Sequence, residues 1–288
     1  MLLHLGLRAC RSGCRLLVGC WLLTSLLSAC SIALLSPVHA QHTLILATTT
    51  SLQDTGLLDA LISQFEQHNN LTIKTLAVGS GQALQLGKQG EADVLLTHDP
   101  EAEIAFMQEG YGAERLPVMA NQFVLVGPAH DPAQVAGNSI PAAFGKIAQS
   151  QSLFLSRGDQ SGTHKIEQEL WSRAGLQPYR ERWYLESGQG MAATLFIASE
   201  KGAYTLVDRA TFLVMRRRLD LIPLAEGDPD LLNVYHVLTV NPKRFPQVNA
   251  EGARAFAQFL TSPQTQNFIR QFGQADYGEP LYLPVEEP

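Results

Sequence analysis

The chain has 288 residues, 45% of them hydrophobic and 17% charged, with a formal net charge of −6. That is the composition of a globular protein with one large domain or two small ones. The negative balance argues against nucleic acid or an anionic membrane as partner.

The first forty residues stand apart: they carry Arg8, Arg11 and Arg15, no acidic residue, and an apolar run from Leu16 to Leu35 that Pro37 breaks. A basic start, an apolar centre and the closing Val38-His39-Ala40 predict a secretory signal peptide over 1–40, cleaved before Gln41. Leu27-Ser28-Ala29-Cys30 offers a second cut, a lipobox that would leave a lipidated, membrane-anchored Cys30. The run also approaches the length of a membrane span, so an uncleaved anchor is a third reading. Each of the three exports the remainder of the chain. All four cysteines (Cys10, Cys14, Cys20, Cys30) lie in this leader, so a chain starting at Gln41 has no disulfide and no thiolate metal site. Loss of the three arginines takes the formal charge from −6 to −9. An anionic ligand would then need a local site that works against the overall field.

From Thr43 the pattern alternates strand and helix. "TLILA" (43–47) is a short apolar run, as a buried parallel strand requires. Leu57, Leu58, Leu61, Ile62 and Phe65 recur at helical spacing. "LTIKTLAV" (71–78) predicts a strand, 82–89 a short helix, "ADVLLT" (92–97) a strand and 100–109 a helix. "LPVMANQFVLVGP" (116–128) is a long extended stretch, followed by a loop. A second set of units follows: helix 140–150, strand 152–156, helix 163–174, strand 182–187, helix 190–200, strand 203–207 and helix 208–217. "NVYHVLTVN" (233–241) is again long and extended, and helices near 249–261 and 263–272 close the chain. Strands separated by helices imply βαβ units and parallel sheets. Two such sets with two long crossing strands predict two lobes with a cleft between them.

In open α/β sheets ligands sit at the carboxyl ends of strands, where helix N-termini point. The loops there read "TTTSLQDTG" (48–56), "GSGQ" (79–82), "THDP" (97–100), "SRGDQSGTH" (156–164) and "ESGQGM" (186–191). Hydroxyls, glycines and one arginine gather at the same end of both sheets. The candidate ligand-binding residues are Thr49, Thr50, Ser51, Ser80, Gly81, Ser156, Arg157, Ser161, Gly162 and Thr163. Hydroxyls donate, glycines let backbone N–H groups approach, helix starts add partial positive charge, and Arg157 is a fixed cation with a planar fork of donors. Together they describe a site for an ionised tetrahedral oxyanion. Each has a plainer reading: a serine or threonine there can be an N-cap, and Arg157 can pair with Asp159.

Sharper chemistries fare worse. No Gly-x-Ser-x-Gly elbow is present, and Ser161 and His164 are too close in sequence for a standard triad. Gly188-Gln189-Gly190-Met191-Ala192-Ala193 with Asp208 is a weak dinucleotide match late in the chain. The histidines beyond the leader are scattered, without metal-site spacing.

The stretches "LATTTSLQDTGLLDALISQFE", "VGSGQALQLGKQGEADVLLTHDP", "LSRGDQSGTHKIEQELW", "GQGMAATLFIASEKGAYTLVDRATFL" and "NVYHVLTVNP" closely resemble, in this order and over essentially the whole mature chain, the tungstate-binding solute receptors of bacterial ABC transporters. The resemblance implies an α/β, two-lobed type II periplasmic-binding-protein fold, each lobe a mainly parallel sheet flanked by helices, joined by two hinge strands. Lobe 1 is expected over 41–122 and 238–288, lobe 2 over 123–237. It further implies a monomeric, non-enzymatic exported receptor without a resident cofactor. Such a receptor binds tungstate first and molybdate second, bends near 120–126 and 234–240, and delivers the anion to a permease and its ATPase. Arg157 to Thr163 is similar to the motif of phosphate receptors too, so a phosphate or sulfate receptor is the alternative. A secreted enzyme on phosphate esters, using Asp159 or His164, is the rival from another class. Phosphate receptors carry a proton-accepting aspartate in the third strand-end loop; here His98 takes that register, with Asp99 beside it.

Overall fold

The computed structural model describes residues 42–285. The leader, with its alternative cuts at Ala40 and Cys30, lies outside the described residues. The chain enters on three parallel strands, β1 (His42–Thr49), β2 (Leu71–Val78) and β3 (Val94–Thr97), in the order β2-β1-β3. Between and after them run α1 (Thr50–Asp54), α2 (Leu57–His68), α3 (Ser80–Gln89) and α4 (Pro100–Gln108). The apolar stripe of α2 faces inward: Leu57, Leu58, Leu61 and Phe65 are buried and Ile62 packs against them.

Everything downstream depends on β4 (Gly112–Pro128), a strand of 17 residues. Along Gly112–Gln122 it lies antiparallel to β9 (Leu232–Val240), which is itself antiparallel to β3. Along Phe123–Pro128 it pairs with β7 (Thr205–Asp208) and β8 (Leu221–Ala225), so one strand belongs to two neighbourhoods. The chain leaves the first set of units along β4 and returns along β9, and for that reason the two pair antiparallel. Parallel pairing is confined to the βαβ units themselves: β2-β1-β3, and β5 (Phe154–Ser156) with β6 (Tyr184–Glu186). Around β5 and β6 lie α5 (Ile140–Ser150), α6 (Gly162–Arg173), α7 (Met191–Lys201) and α8 (Arg209–Met215). Then α9 (Ala250–Thr261) and α10 (Pro263–Gln271) return to the first sheet, where Phe256 meets Phe65 edge-on at 5.1 Å. A short α11 (Gln274–Tyr277) and β10 (Leu283–Pro284), paired with β4 at Met119 and Ala120, end the described chain.

One buried acid shapes the second set. Glu167 of α6 is 2% exposed and lies beside the rings of Phe154, Trp171 and Tyr184. Its carboxyl accepts from Ser156 Oγ at 2.6 Å, Tyr184 OH at 2.7 Å and Trp171 Nε1 at 3.1 Å. These bonds tie the end of β5 to α6 and β6. Burial pushes the acid up from 4.5 to about 7, against the three donors, and nearby Glu186 adds to the rise. The folded state thus holds this proton more tightly than the unfolded chain does. The stabilisation it gives is complete below pH 4.5 and is lost as pH rises through about 7. Glu167→Gln imitates the protonated acid and removes that dependence. Between about pH 4.5 and 8, the variant should gain about 2–3 kcal/mol relative to wild type in urea unfolding. Parallel stability curves for the two proteins would show that Glu167 does not take up a proton in this range.

Candidate functional site

The strand-end loops meet. At the end of β1, Thr49 and Ser51 are buried, Thr50 is half-buried, and Ser51 Oγ donates to Thr49 Oγ1 at 3.3 Å. Thr49 stands at the N-cap of α1 without making a side-chain cap bond, so capping does not account for it. Ser80 opens α3 fully buried, followed by Gly81. At the end of β3, Thr97 Oγ1 donates to Glu103 at 2.7 Å, and Asp99 caps α4 through Ala102 N–H at 3.2 Å.

The loop after β5 supplies the cation. Arg157 is 4% exposed; its Nη2 donates to Asp159 at 2.5 Å and its Nη1 to Thr163 Oγ1 at 3.4 Å, while Nε has no partner. The ion pair expected from the plainer reading therefore exists, but its Arg157 side is buried and it uses only part of the fork. Ser161 caps α6, accepting from His164 N–H at 3.4 Å and donating to Asp159 at 2.6 Å. Gly162 and Thr163, the first residues of α6, are buried. Ser156 is turned the other way: its hydroxyl donates to Glu167 and accepts from Gly158 N–H at 3.2 Å, so it braces the loop.

Close backbone approaches join these loops to those of the first set. A Cβ on Gly79 would stand 3.5 Å from Ser161 Cα, and one on Gly162 would stand 3.1 Å from the His98 ring. At Gly79 a Cβ would make an ordinary van der Waals contact, whereas at Gly162 it would press on the His98 ring. Thr50 lies against Gly190 at the start of α7, and Lys165 Nζ of α6 bonds the Asp99 carboxylate.

Among the described residues, the buried side-chain polar atoms without a hydrogen-bond partner are Ser80 Oγ, His98 Nδ1, Arg157 Nε, Asn233 Oδ1 and Tyr235 Oη. Such atoms are rare in folded proteins. Here they come from residues of the strand ends and of β9, with the His98 ring 4.7 Å from that of Tyr235. Burial holds His98 down at about 4, against the raising fields of Glu103 and Asp99, so it is neutral near pH 7. Asp208 is raised by burial; it accepts from Thr211 N–H at 2.9 Å, Thr211 Oγ1 at 2.7 Å and Asn121 Nδ2 at 3.3 Å. Asn121 Oδ1 in turn accepts from Asn233 Nδ2 at 2.7 Å. Asn121, Asn233 and Tyr235 are absent from the sequence-derived candidates. Their trace was present: Asn233 and Tyr235 alternate on one face of a long, mostly apolar strand.

The competing chemistries lose their geometry. His164 Nδ1 accepts from Gln160 N–H at 3.1 Å, and Nε2 lies 2.9 Å from Gln168 Nε2, so neither ring nitrogen serves Ser161. Asp208 is the N-cap of α8, which commits the carboxylate that a dinucleotide site would need. Among the described residues no cluster of three or more His, Cys, Asp or Glu could hold a metal. A groove of about 560 Å³ lined by Ala120, Gln122, Leu232 and Tyr282 contains none of the strand-end loops, and its Arg209 is taken by Glu226 and Glu279.

Known proteins share this architecture. A family model for the PBP superfamily domain matches residues 36–264. The tungstate-binding protein TupA of Peptoclostridium acidaminophilum is 46% identical over 249 residues, covering 85% of this chain and 87% of that protein. The solved structure of the tungstate-binding protein TupA from Desulfovibrio alaskensis G20 is 43% identical, covers 85% of this chain and 100% of that one, and superposes with a TM-score of 0.74. The structure titled the tungstate ABC transporter from Geobacter sulfurreducens is 41% identical, covering 80% and 98%, with a TM-score of 0.73. The chain belongs to the PBP superfamily and, within it, to the family of tungstate-binding solute-binding proteins.

Proposed function

We propose that this protein is an exported receptor that captures a tetrahedral oxyanion, tungstate first and molybdate second, and delivers it to an ABC importer through a permease and its ATPase. It acts as a monomer, without catalysis and without a resident cofactor or metal. It is released to the periplasm by a cut before Gln41, or tethered there through Cys30. Lobe 1 comprises 41–122 and 238–288, lobe 2 comprises 123–237, and the lobes close by bending near 120–126 and 234–240. The ligand is held by Thr49, Thr50, Ser51, Ser80, Gly81, Arg157, Ser161, Gly162 and Thr163, with Ser156 bracing the loop from behind.

The observation that carries the reading is Arg157: a buried guanidinium with an unpartnered Nε, beside Thr163 Oγ1 at the start of α6, in a loop that approaches Gly79 and His98 of the first set. A dianion leaving water needs its hydration replaced by donors already in place. Relatives at 46% and 43% identity that carry the name tungstate-binding protein support the choice of anion. His98 supports it against phosphate, because a neutral imidazole stands where a proton-accepting carboxylate would be. A dianion closes the lobes by contacts available only when both are present. Small-angle scattering should accordingly show compaction at saturating tungstate, and an unchanged profile would count against the bending unless the free form is already closed.

Titration calorimetry with tungstate, molybdate, sulfate and phosphate tests the ligand. Arg157→Ala tests the site. A charge-assisted bond contributes about 1.5–3 kcal/mol, and leaving a buried charge unpaired costs about 3–5 kcal/mol. The variant should therefore bind tungstate about a hundredfold to several-thousandfold more weakly. Arg157→Lys should recover part of the loss, since lysine lacks the fork. A variant that melts like wild type and binds within about fivefold of it would move the ligand away from this loop.

A further inference from the structure

We propose that Lys165 and Asp99 form a clasp across the cleft: they are positioning residues that hold the two lobes shut over the oxyanion without touching it. The proposal rests on the receptor reading above. Lys165 is in the first turn of α6, next to Thr163, and its Nζ bonds Asp99 Oδ2 in the loop after β3. The two residues are 66 positions apart and belong to different sets of βαβ units.

The Asp99 end is firmly mounted. Its Oδ1 accepts from Ala102 N–H at 3.2 Å, and its own N–H donates to Glu103 Oε1 at 3.0 Å. Glu103 is fully buried and is gripped by Arg115 Nε and Nη2 at 3.1 and 2.9 Å and by Thr97 Oγ1 at 2.7 Å. Asp99 is 6% exposed, so its charge is buried and Lys165 supplies the cation. The Lys165 side chain is 42% exposed, a flexible arm reaching from the other side.

Position makes this pair different from Arg209–Glu279, an ion pair that also joins the two sets. Arg209–Glu279 stands at the groove lined by the crossing strands, close to the pivot, where a rotation changes distances little. Lys165–Asp99 stands at the strand-end loops, where opening must pull the partners apart. The clasp also settles the charge of Asp99. A free carboxylate beside the site would repel the incoming dianion; bound to Lys165 it does not.

The test is a calorimetric cycle with tungstate on the full mature protein: wild type, Asp99→Asn, Lys165→Met and the double variant, with melting of each in the absence of anion. Asparagine retains the capping oxygen for α4. A clasp predicts that Asp99→Asn weakens binding about five- to twentyfold. Lys165→Met should weaken it at least as much, since Asp99 is then uncompensated. The double variant should be no weaker than Lys165→Met, and melting without anion should match wild type. The sign of the Asp99→Asn effect is decisive. If Lys165 were itself a ligand of the anion, removing Asp99 would free it and tighten binding. Binding by Asp99→Asn that is tighter than or equal to wild type overturns the clasp and leaves the receptor reading standing. Weakening that is matched by a lower melting temperature in the absence of anion, and that adds in the double variant, also overturns it, because the residues would then be merely structural. A wild-type protein that binds none of the four oxyanions overturns the receptor reading and the clasp with it.

Discussion

A doubly charged anion enters a protein only if fixed donors replace its water, and in a chain of formal charge −6 those donors must also overcome the surrounding field. In the site proposed above, the buried Arg157 guanidinium would answer both demands, and the local architecture holds it in place. It directly follows β5, whose last residue, Ser156, is anchored to Glu167 on the far side. Asp159 neutralises part of its charge and at the same time fixes Ser161 through its N–H and hydroxyl at 3.1 and 2.6 Å. The cation, the helix cap and the start of α6 are thereby one rigid piece. A Cβ at Gly162 would stand 3.1 Å from the His98 ring, so a side chain there would press on that ring.

A single long strand makes that piece part of a two-sided site. β4 pairs with β9 along its first part and with β7 and β8 along its last, and the loops of the two sets approach at Gly79–Ser161, Gly162–His98 and Gly190–Thr50. Asn121 and Asn233 sit on these two crossing strands, hydrogen-bonded to each other and, through Asn121, to the buried Asp208. Amide pairs of this kind fix which way each carboxamide points, since a wrong flip would set two donors or two acceptors face to face.

Much of this was legible in the sequence, and the parts that were not have physical explanations. Buried parallel strands read as apolar runs, so β1 and β3 stood out; β2, only half-buried and interrupted by Lys74, showed through its β-branched residues, and the polar loops that terminate the three strands stood out too. The strand β8 did not, because Pro223 interrupts it; the structure tolerates the proline because β8 pairs with β4 alone. The five residues of α1 are too few to show a period, and β10 has only two. Glu167 reads as one polar residue among several on a helix, and only the arrival of Tyr184, 17 positions on, and Ser156, 11 positions back, makes it a buried acid. Asn121, Asp208 and Asn233 meet across separations of 87 and 112 residues, which no local pattern records. Ser156 is a candidate donor by residue type and place, and in the structure its hydroxyl donates to Glu167, a bond that no local pattern records.

The loop after β3 is where discrimination between oxyanions has to reside, because the Arg157 loop offers donors to any of them. A ligand that retains a proton needs an acceptor in its site, and one without a proton needs none. His98 is buried and, by the cost of charging it there, neutral, so it brings neither a fixed negative charge nor a competing cation. Asp99 could have supplied the acceptor, but both of its carboxylate oxygens are engaged, one by the α4 N-terminus and the other by Lys165. A carboxylate whose charge is already matched has less to gain from the proton of hydrogen phosphate, and it repels a dianion less. The same residue type at the same loop can thus favour a protonated anion when it is free, or permit an unprotonated one when it is bound. The difference lies in whether a cation such as Lys165 reaches it.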